Sequence, residues 1–215
     1  IRFIEQSALY YAQVRGLGTL KLNSTKEYVE KYTEEFYLVD LYYRRTLEAY
    51  HELITKENPI EQTLSDAKHQ LDLEYAKITN VLNLEWLTCV GEKGAWFTET
   101  GLKRQEDFYK NESDTSVKQV VIVCDALRYE VAKELMQELA KEKHIATIDA
   151  YQAMLPTETK YCKPALLPHH LLELNVTDMM VDGTLLTTTE QRTAHLGKYR
   201  EGAICTRYED VMNGD

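Results

Sequence analysis

No apolar run in the chain approaches the ~20 residues that span a bilayer. The first residues carry Arg2 and Glu5 and lack the apolar core of a secretory signal. Membrane-spanning and secreted classes are therefore set aside, and a cytoplasmic location is expected. Cysteine is sparse and scattered, at positions 89, 124, 162 and 205, with no Cys-x-x-Cys pair. That spacing excludes a zinc knuckle and a redox dithiol, and it suits reduced thiols. Positive charge is also short: the formal net charge is −10, which argues against broad electrostatic binding of nucleic acid. Nucleic acid is left as a partner for a longer parent only. Histidine pairs at metal-binding spacing are missing as well, since no His-x-x-x-His or Asp-x-x-x-His occurs. His169, His170 and His195 are accordingly not assigned as ligands.

What is present is a globular balance, 44% hydrophobic and 28% charged over 215 residues, enough for one large domain or two small ones. The chain begins at Ile1 and ends Asn213-Gly214-Asp215 without a closing element, and it reads as a piece of a longer protein. Ile1, Ile4, Ala8, Leu9 and Ala12 predict a first helix, interrupted by Gly16 and Gly18. Asn23-Ser24-Thr25 offers an N-cap. Tyr28, Tyr32, Phe36, Val39, Tyr43, Leu47, Tyr50 and Ile54 then recur at helical spacing. They predict a long helix over about 25–58, ended by Asn58-Pro59. Ile60, Leu64, Ala67, Leu71, Tyr75, Ile78 and Leu82 predict a second, over about 60–86, packed antiparallel to the first.

A tyrosine stripe could stack bases, but a stripe at helical period encodes burial, so it is read as core. Tyr42-Tyr43-Arg44-Arg45 is read as a helix edge with its arginines reaching to solvent. Over 83–116, aromatic residues mix with Gly91, Gly94 and Gly101, predicting turns, a short hairpin around Gly91–Gly94 and a helical piece. Asn111-Glu112-Ser113-Asp114-Thr115-Ser116 reads as a linker. The expected division is a helical region, 1–113, followed by an α/β domain, 114–215.

The second part is organised around Val120-Val121-Ile122-Val123-Cys124-Asp125, an apolar run that predicts a strand buried on both faces. Val131, Ala132, Leu135, Met136 and Leu139 predict the helix that follows. Asp125 thus falls at the carboxyl end of a strand, where α/β sheets bind ligands. It is either a metal or substrate ligand or the cap of the next helix. Further strands are expected at 145–150, 179–181 and 203–205, with a helix over 190–199. Alternating strands and helices imply a parallel α/β sheet. Thr157 and Thr159 follow Pro156 directly, and by themselves suit a capped turn.

Asp125-Ala126-Leu127-Arg128-Tyr129-Glu130, after a hydrophobic strand, resembles the signature of PglZ domains. Leu155-Pro156-Thr157-x-Thr159 and Ala165-Leu166-Leu167-Pro168 match its next motifs in order. Val181-Asp182-Gly183 followed by Gln191-Arg192 is similar to a further segment. The tyrosine-rich helices also resemble what precedes the domain in that family. The nearest resemblance is to the type A branch of bacteriophage-exclusion (BREX) systems.

The resemblance implies the first part of an alkaline-phosphatase-like parallel sheet with flanking helices. It implies a two-metal hydrolase of phosphate esters, with divalent ions, zinc foremost, as cofactors. Other BREX proteins would be its partners. Carried over residue by residue, it makes Asp125 a metal ligand and Thr159 the nucleophile and a second ligand, with Thr157 as fallback. The remaining Asp and His ligands would lie beyond residue 215, leaving the two-metal site incomplete and this piece inactive alone.

Metal coordination would activate a hydroxyl that is a poor nucleophile at its free pKa, and a helix starting after Thr159 would offer N–H groups to a phosphate. Lys160 and Arg128 could contact phosphate, but Glu158 and Glu130 are near enough to pair with them. Tyr161-Cys162-Lys163-Pro164 and Leu185-Leu186-Thr187 depart from the family pattern, which bears on substrate recognition more than on fold. The alternative reading is a scaffold within a defence complex, suited to the acidic charge and the long amphipathic helices.

Overall fold

The computed structural model describes residues 1–18, 20–54, 60–91, 100–114 and 116–214. The elements run α1 (Arg2–Gly16), α2 (Thr25–Lys31), a π-type turn (Tyr32–Phe36), α3 (Tyr37–Ile54), α4 (Glu61–Val90), β1 (Lys103–Arg104), a 3-10 turn (Gln105–Asp107), α5 (Phe108–Glu112), α6 (Tyr129–Lys141), β2 (Tyr151–Gln152), α7 (Thr159–Ala165), β3 (Leu172–Asn175), β4 (Asp178–Val181), α8 (Thr189–Leu196) and α9 (Tyr208–Asn213). The chain is mixed α/β, as its sequence predicts. No helix among the described residues is long and apolar enough to cross a membrane. Two compact units result: residues 1–101 with 127–149, and residues 102–126 with 150–214.

The first unit is helical. Ser24 caps α2, its hydroxyl accepting from Glu27 N at 3.1 Å, while Glu27 reaches back to Asn23 N at 2.9 Å. These bonds satisfy helix-end donors that would otherwise lack partners. Over the described part of the helix expected at 25–58, the chain is helical without a break from Thr25 to Ile54, with a π-type segment at Tyr32–Phe36 between α2 and α3. The expected Asn58-Pro59 stop lies outside the described residues. Contacts are ordered along the helices. Phe3 packs with Ala49 and Leu64, Tyr10 with Val39 and Leu71, and Tyr28 and Phe36 with Leu82 and Trp86. Numbers fall on α4 as they rise on α3, so the two run antiparallel, as expected.

The tyrosine stripe is core. Tyr10 is fully buried, and Tyr43 stacks on Tyr75 at 3.7 Å with the rings 3° from parallel. The hydroxyls of Tyr32 and Tyr75 both donate to Asp40, at 2.8 Å each. Arg44 and Arg45 are only partly exposed. They pair with Glu134 of α6, Arg45 Nη2 at 2.6 Å, and Arg44 Nε lies 3.7 Å from Glu130. Glu130 is completely buried, so its charge needs those partners. Its oxygens are held by ion pairs and not by well-aligned hydrogen bonds.

The second unit holds the strands. β1 and β2 pair in parallel, Lys103 with Tyr151 and Arg104 with Gln152. β3 and β4 form an antiparallel hairpin, so the strand expected at 179–181 is present but not in a parallel sheet. The run Val120–Cys124 is not a buried strand. It has no ladder partner among the described residues, and Val120 and Ile122 are each 77% exposed. An apolar run encodes a preference for burial, but burial on two faces also requires neighbours in the sheet and helices above it. Residues 145–150 and 203–205 likewise carry no strand, and the pairing begins only at Tyr151. The helix expected over 190–199 is α8, opened by a capping box between Thr188 and Gln191. The hairpin expected around Gly91–Gly94 extends outside the described residues, α4 itself continuing to Val90, and so does part of the expected linker.

Candidate functional site

Asp125 opens a turn, and Ala126 after it lies in the left-handed region at φ 57°. The other half of the site comes from the loop after β2. Leu155–Pro156 is a cis peptide bond, and Glu158 N donates to Pro156 O at 2.8 Å. Glu158 then accepts, through its carbonyl, from Tyr161 N and Cys162 N at 2.9 Å each, and α7 begins at Thr159.

This geometry brings the two expected site residues together. Thr159 Oγ1 donates to Asp125 Oδ2 at 2.8 Å, across 34 residues of sequence, and both are exposed. No such bond is made by Thr157 among the described residues. α7 has seven residues and starts at Thr159 itself.

The loop is held from outside by a residue that no sequence pattern marks. Gln105, half-buried in the 3-10 turn after β1, accepts through Oε1 from Met154 N at 3.1 Å. It donates through Nε2 to Cys162 O, also at 3.1 Å. The Cys162 thiol tucks against the carbonyls of Met154 and Pro156, at 3.8 and 3.7 Å. Burial, helped by the Asp125 charge, pushes its pKa up.

The other candidates have structural partners. Lys160 pairs with Glu158 at 3.3 Å and Arg128 with Glu130 at 2.9 Å. His169 Nδ1 lies 2.7 Å from Leu167 O, and the buried His195 places Nε2 2.6 Å from Pro168 O. Asp182, in the Val-Asp-Gly motif, caps a turn. Its Oδ1 accepts from His170 N and Leu171 N at 2.8 Å each, and its Oδ2 from the Tyr199 hydroxyl at 2.9 Å. Desolvation raises its pKa, but those bonds outweigh it and hold the carboxyl at about 2. A cleft of about 260 Å³ lined by Glu106, Asp107, Tyr109, Lys110, Pro168, His169 and Tyr199 contains neither Asp125 nor Thr159.

A divalent ion is what the resemblance implies here, and the donors can be tested against it. A carboxylate and a hydroxyl oxygen converge within hydrogen-bond distance, the oxygen chemistry that zinc and harder divalent ions accept. No cluster of three or more His, Cys, Asp or Glu side chains occurs among the described residues. The pair therefore fits part of one ion's coordination shell.

Comparison with known proteins follows the same lines. Residues 106–214 match the family described as the BREX system PglZ alkaline phosphatase-like domain. The "Alkaline phosphatase-like protein PglZ" of Bacillus cereus (strain H3081.97) is 28% identical over 221 residues, covering 96% of this chain and 25% of that protein. The "Alkaline phosphatase-like protein BrxZ" of Escherichia coli O9:H4 (strain HS) is 33% identical over 114 residues, covering 48% of this chain and 13% of that protein. The chain thus spans about a quarter or less of the length of the curated relatives it matches. No solved structure matches it. With a family model covering over half of its length, the chain belongs to the BREX system PglZ alkaline phosphatase-like domain family.

Proposed function

We propose that this chain supplies the nucleophile and one metal ligand of a divalent-metal-dependent phosphoric-ester hydrolase working in bacteriophage defence. The observation that supports this reading is the 2.8 Å hydrogen bond from Thr159 Oγ1 to Asp125 Oδ2. Asp125 and Thr159 would hold the ion, zinc by preference, with ligands from elsewhere in a full-length protein. Held there, a divalent ion would lower the hydroxyl's pKa and offset charge on the phosphoryl oxygens. Asp125 orients the Thr159 hydroxyl by accepting its proton in a hydrogen bond. That fixes the rotor and points the oxygen lone pairs away from the carboxylate, towards a substrate. Both groups are exposed in this part of the chain, open to further ligands and to a phosphate ester. Thr159 Oγ1 would then take the phosphoryl group, its hydroxyl proton passing to solvent while the leaving alkoxide takes one from solvent and departs as the alcohol, and water would later cleave the phosphothreonine ester to release phosphate and restore the hydroxyl.

The proposal places the protein in the cytoplasm with other BREX proteins as partners, and keeps 1–113 as a helical region preceding the α/β domain at 114–215. A second reading, a scaffold in a defence complex, is suited by the acidic net charge and the long helices α3 and α4. Turnover of a chromogenic phosphate monoester and diester with added zinc or manganese separates the two. A full-length protein is expected to turn over, its Thr159→Ala variant to lose activity with little loss of stability, and the 215-residue chain to be silent. Two oxygen donors alone bind zinc weakly. Full activity in Thr159→Ala overturns the nucleophile; robust metal-dependent turnover by the 215-residue chain overturns the shared-ligand account.

A further inference from the structure

We infer that Gln105 is a positioning residue for the loop 154–162, and through it for Thr159; the functional half of this inference rests on the reading of Thr159 as the nucleophile. Gln105 lies one residue before the segment that matches the family model. Its backbone is placed by the parallel pairing of β1 with β2, in which Arg104 stands opposite Gln152. That register sets Gln105 at the mouth of the loop leaving β2. From there its one side chain reaches both ends of the loop, Met154 N and Cys162 O.

Both backbone groups are available for physical reasons. Met154 lies two residues beyond Gln152, the last ladder residue of β2, so its N–H is outside the ladder. Cys162 lies in the last turn of α7, where Leu166 N turns to Lys163 O at 3.3 Å and leaves the carbonyl four residues back open to Gln105. A primary amide carries one acceptor and one donor group and suits this pair. No charged side chain of similar size can serve both. With the two ends bridged, the seven residues between them hold Thr159 against Asp125. Without the bridge, two half-buried backbone groups lose their partners, and the loop gains freedom at both hinges.

Cys162 reports the state of the loop, because its thiol is covered by the carbonyls of Met154 and Pro156. The test is the alkylation rate of each cysteine by iodoacetamide in the 215-residue chain, read by mass spectrometry. Cys124 is exposed and serves as the fast reference; Cys205, half-buried in the same unit, and Cys89 report general loosening. Gln105→Met keeps the volume and removes both bonds. Gln105→Glu keeps the acceptor for Met154 N and loses the donor to Cys162 O. Cys162 is expected to react about tenfold faster in Gln105→Met, the size expected for two ordinary hydrogen bonds, and less than that in Gln105→Glu. Cys205 and Cys89 should hold their rates. An unchanged Cys162, or a rise shared equally with Cys205, overturns the inference. In a full-length protein that turns over phosphate esters, Gln105→Met is expected to lower kcat about tenfold with KM nearly held. An unchanged kcat there removes the functional half. Should the unaltered full-length protein turn over no ester, the Thr159 reading fails, and the alkylation rates still decide whether Gln105 holds the loop.

Discussion

Ala126 takes φ 57° directly after Asp125, in a region that costs an L-residue about 1–2 kcal/mol. Strain beside a candidate ligand is the kind that a functional turn retains. Val176 carries the same conformation with no such excuse. It sits at φ 57° in the β3–β4 turn and is 88% exposed, and its branched side chain suits the left-handed region worst. Val176→Asn should therefore stabilise the chain by about 1 kcal/mol, because asparagine tolerates that region. Thermal melting is the check, and an unchanged or lower midpoint would show that the turn is not strained.

Single residues also mark the limit of what could be read without a structure. Ser24 was legible as a cap because its bond to Glu27 spans three residues. The Asp125–Thr159 bond spans 34, and no periodicity encodes it. Asp125 stands out as a lone acid after an apolar run, but Thr159 by itself suits a capped turn and becomes a site residue only through its motif's resemblance to a family. Gln105 reaches 49 and 57 residues along the chain through one side chain, and nothing local distinguishes it from a surface glutamine.

Helices were more legible than strands, since a helix satisfies its backbone locally while a strand needs a partner elsewhere. The stripe on α3 and α4 encoded its own burial; the run Val120–Cys124 encoded a preference that no described strand fulfils. The buried stripe also has a measurable titration. Burial first, then the Asp40 charge, pushes the pKa of Tyr32 and Tyr75 well above the ordinary value; burial and the hydrogen bond to Asp72 take Tyr43 to about 12. A tyrosine that ionises near 10 when unfolded and later when folded adds stability that is complete below pH ~10. That contribution is lost as pH climbs through the folded values. Stability should thus decline above pH 10. Tyrosinate absorbance should rise in two steps, the second coinciding with loss of the helical circular dichroism signal. A single step near pH 10 with the helices intact would contradict the buried network.

For the molecule as a whole, the contact division interleaves the sequence. Residues 127–149 close the helical unit, and α6 meets α3 there through Arg44, Arg45, Glu130 and Glu134. A chain shortened to start at Leu102 would leave Glu130 without Arg44 and α6 without its packing face. Amides 131–141 are then expected to exchange as in an unfolded peptide, whereas in the 215-residue chain they are protected. Persistent protection in the shortened chain would show that α6 stands by itself. During synthesis the same interleaving imposes an order. A ribosome that has released α1 to α4 has not yet released the helix they hold, and while Arg44 has Glu48 one turn away, Arg45 must wait through some ninety further residues for Glu134. Until Lys141 has cleared the exit tunnel the bundle carries an open, charged seam, and this is the interval in which a nascent chain would be most exposed to chaperones and proteases.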